Sequence, residues 1–354
     1  MAKKPKDIDY KTYLQLPEIL ASQERLSNAH DEMLFIIVHQ TYELWFKQVL
    51  FELARVQDIF SRKSVADGDL RVVSAALERV VVILKHLVNQ VDLLETMTPL
   101  DFLDFRHVFR SASGFQSLQF RELEIRLGLR SADRVAYAGK HYESYLSPED
   151  QQVIREMEKK GSLFEQLDKW LSRTPFVTMG AFDFWKAYRK AVADMVKSDT
   201  QVAQANTSLS KAARQMEVTK LENVQKQFDM LFSTDEKEKM PWRLSSKALH
   251  AALFIMLYRD QPVLQQPFKI LNALMDIDET MTLWRYRHAL MVQRMLGMKM
   301  GSGGSSGHDY LLQTASKNRI FLDLFALSTF MIPRSTLPKL PKDVEEKMGF
   351  RYGD

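Results

Sequence analysis

The sequence predicts an all-α protein, and three observations carry that prediction. Apolar residues recur at alternating spacings of three and four along several long stretches, the period of a helix face packed on a neighbour. Glycine and proline are sparse and fall between those stretches. No run of alternating apolar and polar residues reads as a convincing set of strands, and no repeat appears at solenoid periods. The expected architecture is a helical bundle. It forms one domain over residues 1–354, with a small peripheral helical insertion at about 195–245 and an irregular tail from about 333.

Taken in order, neither glycine nor proline occurs between Pro17 and Gly68, and Asp31 and Glu32 supply the negative charge favoured in a helix's first turn. The apolar run 33–38 makes this helix greasy on most sides, as at the centre of a bundle. Val73, Leu77, Val80, Leu84, Leu87, Val91 and Leu94 then form a clean seam. Thr98 and Pro99 read as cap and first residue of a short helix that carries Arg106 and ends near 111–114. Another helix is expected over 115–127, stopped by Gly128. The polar stretch 194–239 reads as a peripheral helical pair. Residues 268–296 contain no glycine or proline and would span about 44 Å as a helix. Its seam is Ile277, Met281, Trp284, His288, Met291 and Met295, so a histidine stands where an apolar residue is expected. Five of the thirteen glycines follow within 297–307, which makes a flexible loop beside that histidine. A last helix is expected over 319–331, before Pro333, Pro338 and Pro341.

Composition removes several chemistries. The chain has no cysteine, so disulfides, iron–sulfur clusters, thiolate-ligated or covalently attached haem and cysteine nucleophiles are excluded. A net charge of +4 spread over 354 residues argues for neither nucleic acid nor an anionic membrane as partner. The first residues lack the apolar core of a signal peptide, and no apolar run approaches membrane-spanning length; a cytoplasmic protein is expected.

Few residues invite chemistry. His288 reads as either a core histidine or a metal ligand with the glycine loop as a lid. Arg285, Arg287 and Arg294 surround it, with Asp276, Asp278 and Glu279 as expected ion-pair partners and anionic cofactor groups as the alternative. Phe35 and His39 share a helix face, as do His39 and Glu43; yet no histidine has Glu three residues before it, which argues against a carboxylate-bridged metal pair. The loop 301–307 fails both phosphate-binding glycine patterns. Arg106 offers a planar fork for a carboxylate or is a solvated charge. Ser111 and Ser113 have no nearby base in sequence.

Several segments together are specific. Leu34-Phe-Ile-Ile-Val-His-Gln40 with Glu43-Leu-Trp-Phe-Lys47 resembles a signature of the tryptophan 2,3-dioxygenases. So do Leu94-Glu-Thr-Met-Thr-Pro99, Phe102-Leu-Asp-Phe-Arg106, Ala112-Ser-Gly-Phe-Gln-Ser-Leu-Gln-Phe-Arg121, Trp284-Arg-Tyr-Arg-His288, the loop 301–307 and Asp323-Leu-Phe-Ala-Leu-Ser-Thr329. The likeness runs from Tyr10 to Arg334 and is weakest near 195–240. It implies an all-α homotetramer with a pocket for one haem b per subunit, ferrous when active. L-tryptophan and dioxygen would be the substrates, cleaved at the indole C2–C3 bond to N-formylkynurenine. By position, His288 would be the proximal iron ligand, with Trp284 packed on it and Ser113 also at the cofactor. His39 would bond the indole N–H, with Phe35, Phe102 and Gly114 lining the pocket. Arg106 would pair with the substrate carboxylate, and Ser302 would contact the ammonium and carboxylate. Tyr10, Tyr13 and Leu14 resemble a segment lent to the neighbouring subunit's site. Phe109, Ser302, Arg110-Ser111 and His308 depart from the family pattern without removing a chemical function. A haem-dependent oxygenase of the same superfamily acting on another indole or aromatic amino acid is the nearest alternative. A non-catalytic helical scaffold or haem sensor is the alternative from another class.

Overall fold

The computed structural model describes residues 9–109, 113–136, 142–233, 240–297 and 307–350. Two short helices, α1 (Tyr10–Tyr13) and α2 (Leu16–Leu20), precede α3 (Glu32–Ser61), α4 (Asp67–Glu95) and α5 (Pro99–Arg106). Next come α6 (Leu118–Leu127), α7 (Pro148–Glu158) and α8 (Leu163–Leu171). A minute antiparallel hairpin follows, β1 (Thr178–Met179) with β2 (Phe182–Asp183), and leads into α9 (Phe184–Ala205) and α10 (Lys211–Phe232). The remainder is α11 (Ser246–Leu257), α12 (Gln265–Leu296), α13 (Gly307–Lys317), α14 (Leu322–Ala326) and α15 (Lys342–Met348). The all-α expectation holds.

The frame is α4 lying against both α3 and α12. The α4 seam is buried from Val73 to Leu94, and Ala76, Ile83 and Val88 widen it to a band broad enough for two neighbours. On α3, Val38, Tyr42, Phe46, Val49, Leu53, Val56 and Phe60 point inward. The opposite side, however, leaves Ile37, Leu44 and Phe51 exposed, so α3 is not the all-round buried helix that its apolar run suggests. That position belongs to α11, in which every residue from Ala251 to Leu257 is buried.

Local chemistry explains the boundaries. Thr98 and Asp101 form a reciprocal capping box with Pro99 in the first turn of α5. Gly128 ends α6 with φ +120°, and a Cβ there would lie 2.6 Å from that of Phe164, so glycine is required twice over. Five expectations need correction, the first being that α5 ends at Arg106 and not near 111–114. The helix expected from 115 starts at Leu118, because the Ser117 side chain caps it and a 3-10 turn (Gly114–Gln116) comes first. The segment after the glycine loop is helical over Gly307–Lys317, and the 319–331 stretch supplies only α14 and a 3-10 turn. The tail contains α15, which buries Val344 and Met348 and has Asp343 and Glu345 in its first turn. The peripheral pair begins ten residues early, at Phe184, because Phe184, Tyr188, Val192 and Val196 root it in the core. Residues 234–239 lie outside the described residues.

One buried carboxylate ties this frame together. Glu124 of α6 receives Arg285 of α12 at 2.8 Å, Arg121 at 3.1 Å and also Arg134. Arg285 further donates to the Asn318 carbonyl at 3.0 Å. Burial by itself raises the proton affinity of Glu124, but the three guanidiniums outweigh it and hold the carboxyl well below the ordinary glutamate range. Truncating it strands buried positive charge. Glu124→Ala is expected to destabilise the protein by about 3–5 kcal/mol in denaturant unfolding at pH 7. A depressed carboxylate contributes stability that is complete above the unfolded value, about 4.3, and is lost as pH falls toward the folded value. The stability gap between wild type and Glu124→Gln should therefore shrink steadily below that pH; a constant gap contradicts the assignment.

Candidate functional site

Two helices bring the candidate histidines within electrostatic reach of each other. On α12, Ile277, Met281 and Met295 are buried as the seam predicts, yet Trp284, His288 and Met291 between them keep accessible surface. An inward seam that stays accessible in its middle borders a hollow. His39 of α3 is exposed on the same hollow, close enough that its charge disfavours a proton on His288. Burial, with that repulsion second, pushes His288 down to about 4. The crowding of protein atoms around its ring, which keeps part of the water away, also holds His39 below its ordinary value, against the opposing pull of the Phe35 carbonyl and the Glu43 carboxylate. Both rings are accordingly neutral at pH 7.

Their hydrogen bonds give them different capacities. His39 Nδ1 lies 2.7 Å from the Phe35 carbonyl oxygen, which only accepts, so Nδ1 carries the proton and the neutral ring leaves Nε2 as an acceptor. Neither ring nitrogen of His288 has a hydrogen-bond partner among the described residues, and Trp284 stacks on the ring at 5.3 Å and 20°. Trp284 in turn meets Phe120 at 5.1 Å and Tyr42 at 6.1 Å, which braces the α12 side against α6 and α3.

The other wall is aromatic. Phe35 packs on His39 at 4.0 Å and on Phe109 at 4.8 Å, with Phe105 at 5.7 Å and Phe102 at 5.9 Å. Phe109, a departure noted in the sequence, therefore joins this wall. Arg106 closes α5 half-buried, one helical turn after Phe102. Ser113 caps the turn 114–116, its hydroxyl accepting from the Phe115 amide, and Gly114 is exposed, with nothing within 4 Å of where a Cβ would stand.

The remaining expectations fall elsewhere. Tyr10, Tyr13 and Leu14 are all exposed, Tyr10 at 75%, and meet none of these groups within the chain. Ser302, Ser111 and Arg110 lie outside the described residues. His308 is on α13 against Asp309 at 3.2 Å. The arginines beside His288 are ion-paired, but not with the acids expected from sequence. Arg285 takes Glu124, and Arg287 takes Asp92 and Glu95 of α4, while Arg294 is exposed. Asp278 instead binds Arg319 at 2.7 Å and the Ile320 amide at 2.9 Å. Glu43 accepts from Ser117 Oγ at 2.6 Å and Gln119 Nε2 at 2.8 Å, which commits both its oxygens. Sequence reading missed these last contacts, because their partners are more than seventy residues away and carry no local pattern.

The comparisons with known proteins point to one family. The family model described as tryptophan 2,3-dioxygenase matches residues 2–331. A tryptophan 2,3-dioxygenase of Bdellovibrio bacteriovorus is 50% identical over 354 residues, covering 98% of this chain and 99% of that one. The Dictyostelium discoideum protein of that name is 43% identical, covering 98% and 89%, and the Mus musculus protein is 44% identical, covering 94% and 84%. With the match running along nearly the whole chain in bacterial, amoebal and animal relatives alike, this chain belongs to the tryptophan 2,3-dioxygenase family.

Proposed function

We propose that this chain oxidises L-tryptophan with dioxygen, cleaving the indole C2–C3 bond to give N-formylkynurenine, and that it does so with a non-covalently held haem b. The observation that carries this reading is the pair of neutral histidines on one hollow, one a hydrogen-bond acceptor and the other uncommitted. Haem fits that donor set. A neutral imidazole with a free lone pair would hold a haem iron, and a chain without cysteine has no thiolate to offer instead. His288 would hold the iron, with Trp284 stacked on it and Ser113 near the porphyrin. When bound, the haem supplies the dioxygen chemistry.

The protein's own part is placement. His39 Nε2, with Nδ1 tied to the Phe35 carbonyl, accepts the indole N–H and sets the ring's orientation. Phe35 and Phe102 confine the ring and exclude water, and Gly114 admits it closely because no side chain stands there. Arg106 takes the substrate carboxylate, and Ser302 contacts the ammonium and carboxylate. A planar guanidinium that pairs with the carboxylate favours an amino acid over a bare indole.

Assembly belongs to the same proposal. Helices α1 and α2 bury none of their residues, although Tyr10, Tyr13, Ile19 and Leu20 are large and apolar. On α3, Ile37, Leu44 and Phe51 recur every seven residues on one exposed face, and α12 exposes Leu283, Tyr286 and Leu290. These features support a homotetramer in which Tyr10, Tyr13 and Leu14 reach a neighbouring subunit's site. A cytoplasmic location agrees with the described helices, none of which is long and apolar enough to cross a membrane.

Reduced, haem-loaded protein supplied with tryptophan and labelled dioxygen should yield a product carrying both atoms of one oxygen molecule; absence of product at full haem loading would sink the reading. His288→Ala is expected to lose haem through gel filtration, whereas His39→Ala keeps it and slows turnover about tenfold or more. An active, fully loaded His288→Ala protein contradicts the ligand assignment. Deleting residues 1–20 should leave haem content intact while raising KM for tryptophan, and light scattering of the intact protein should give four subunits.

A further inference from the structure

We propose that Glu43 is a positioning residue that sets the gap between His39 and Gly114, where the site reading above places the indole. The argument begins with geometry. Glu43 lies one helical turn after His39 on α3 and is half-buried. One carboxylate oxygen accepts from Ser117 Oγ at 2.6 Å and the other from Gln119 Nε2 at 2.8 Å. The Gln119 amide also donates to the Glu43 backbone carbonyl at 2.9 Å, so side chain and main chain of one residue grip the same segment.

What they grip is the turn before α6. Ser117 is both a partner of Glu43 and the cap of α6, its hydroxyl accepting from the Phe120 amide at 3.2 Å. Inside the turn, Gln116 closes back on Ser113 through its side chain at 3.0 Å and its amide at 2.9 Å. On its far side, Phe115 meets Tyr310 of α13 edge-on at 5.4 Å. The turn carrying Ser113 and Gly114 is thus strung between α3 and α13, and Glu43 is its attachment on the side of His39.

The carboxylate's negative charge is not what this role needs. Glutamine at 43 retains both side-chain contacts, its amide oxygen accepting from Gln119 Nε2 and its amide nitrogen donating to Ser117 Oγ. Alanine retains neither. This difference separates a geometric role from an electrostatic one on His39.

The test compares holoenzymes of wild type, Glu43→Ala, Glu43→Gln and Gln119→Leu. Hydrogen exchange at the Phe115, Gln116 and Ser117 amides reads the turn directly, independent of any substrate. Calorimetric binding of tryptophan and steady-state kinetics read the site. Glu43→Ala should lose protection in the turn and raise Kd and KM on the order of tenfold, with kcat within about threefold and haem stoichiometry unchanged. Gln119→Leu should do the same more weakly, and Glu43→Gln should return KM to within about threefold of wild type. Unchanged exchange in Glu43→Ala overturns the proposal, as does a KM that stays at the wild-type value. Equal impairment of Glu43→Gln and Glu43→Ala overturns it too, by assigning the effect to charge. Since the proposal rests on the site reading, a wild-type protein that binds no tryptophan removes both, whereas normal wild-type binding with an unaffected alanine variant removes this one alone.

Discussion

The buried carboxylate of Glu124 is the constraint on which the rest of this structure depends. It receives guanidiniums from its own helix, from Arg134 beyond that helix and from Arg285 of α12, all beneath the surface. Charges taken out of water tolerate little displacement, because every lost contact leaves an ion in a medium that solvates it poorly. The cluster therefore fixes α12 in rotation as well as position. Arg285 precedes His288 by three residues, just under one turn, so fixing the arginine fixes the direction in which the imidazole projects. A second buried acid, Asp278, performs the same service two turns earlier by holding Arg319 and the Ile320 amide.

Burial then determines the character of the two histidines. The hollow between α3 and α12 withholds enough water that protonation is disfavoured in both rings. Glu43, one turn from His39, pulls the other way and does not prevail. Its carboxylate is engaged by Ser117 and Gln119, which directs its influence to geometry. Neutral rings with distinct hydrogen-bond commitments leave one committed acceptor and one uncommitted lone pair, a division that a single protonated ring would abolish.

Much of this was legible in the residues, and what was not has a physical reason. Helical periodicity found α4 and α12 because a seam is a local property, repeated every turn. Capping chemistry found Thr98 and Gly128 for the same reason. The helix 307–317 escaped because it starts directly in a glycine- and serine-rich run and its apolar positions are few. The register of ion pairs around His288 also escaped: Arg285 and Arg287 have acids nearby in sequence, yet tertiary packing gives them Glu124, Asp92 and Glu95. Within the site, Phe35 and His39 could be placed on one face from their spacing alone, whereas Phe109 against Phe35 and Ser117 against Glu43 depend on how α5 and α6 fold back over α3.

The unbroken length of α12 has a mechanical consequence. Thirty-two residues without an internal glycine, and with proline only in the first turn, form a stiff rod, and Asp278 and Arg285 act as two bearings along it. A shaft seated at two points neither pivots nor slides without breaking a buried ion pair. Whatever accommodation a guest in the hollow demands is therefore taken up away from the shaft, by the rings of Phe35, Phe102 and Phe109. Rigidity is concentrated on the side of His288 and compliance on the side of His39, so the two walls of the hollow act as anvil and jaw.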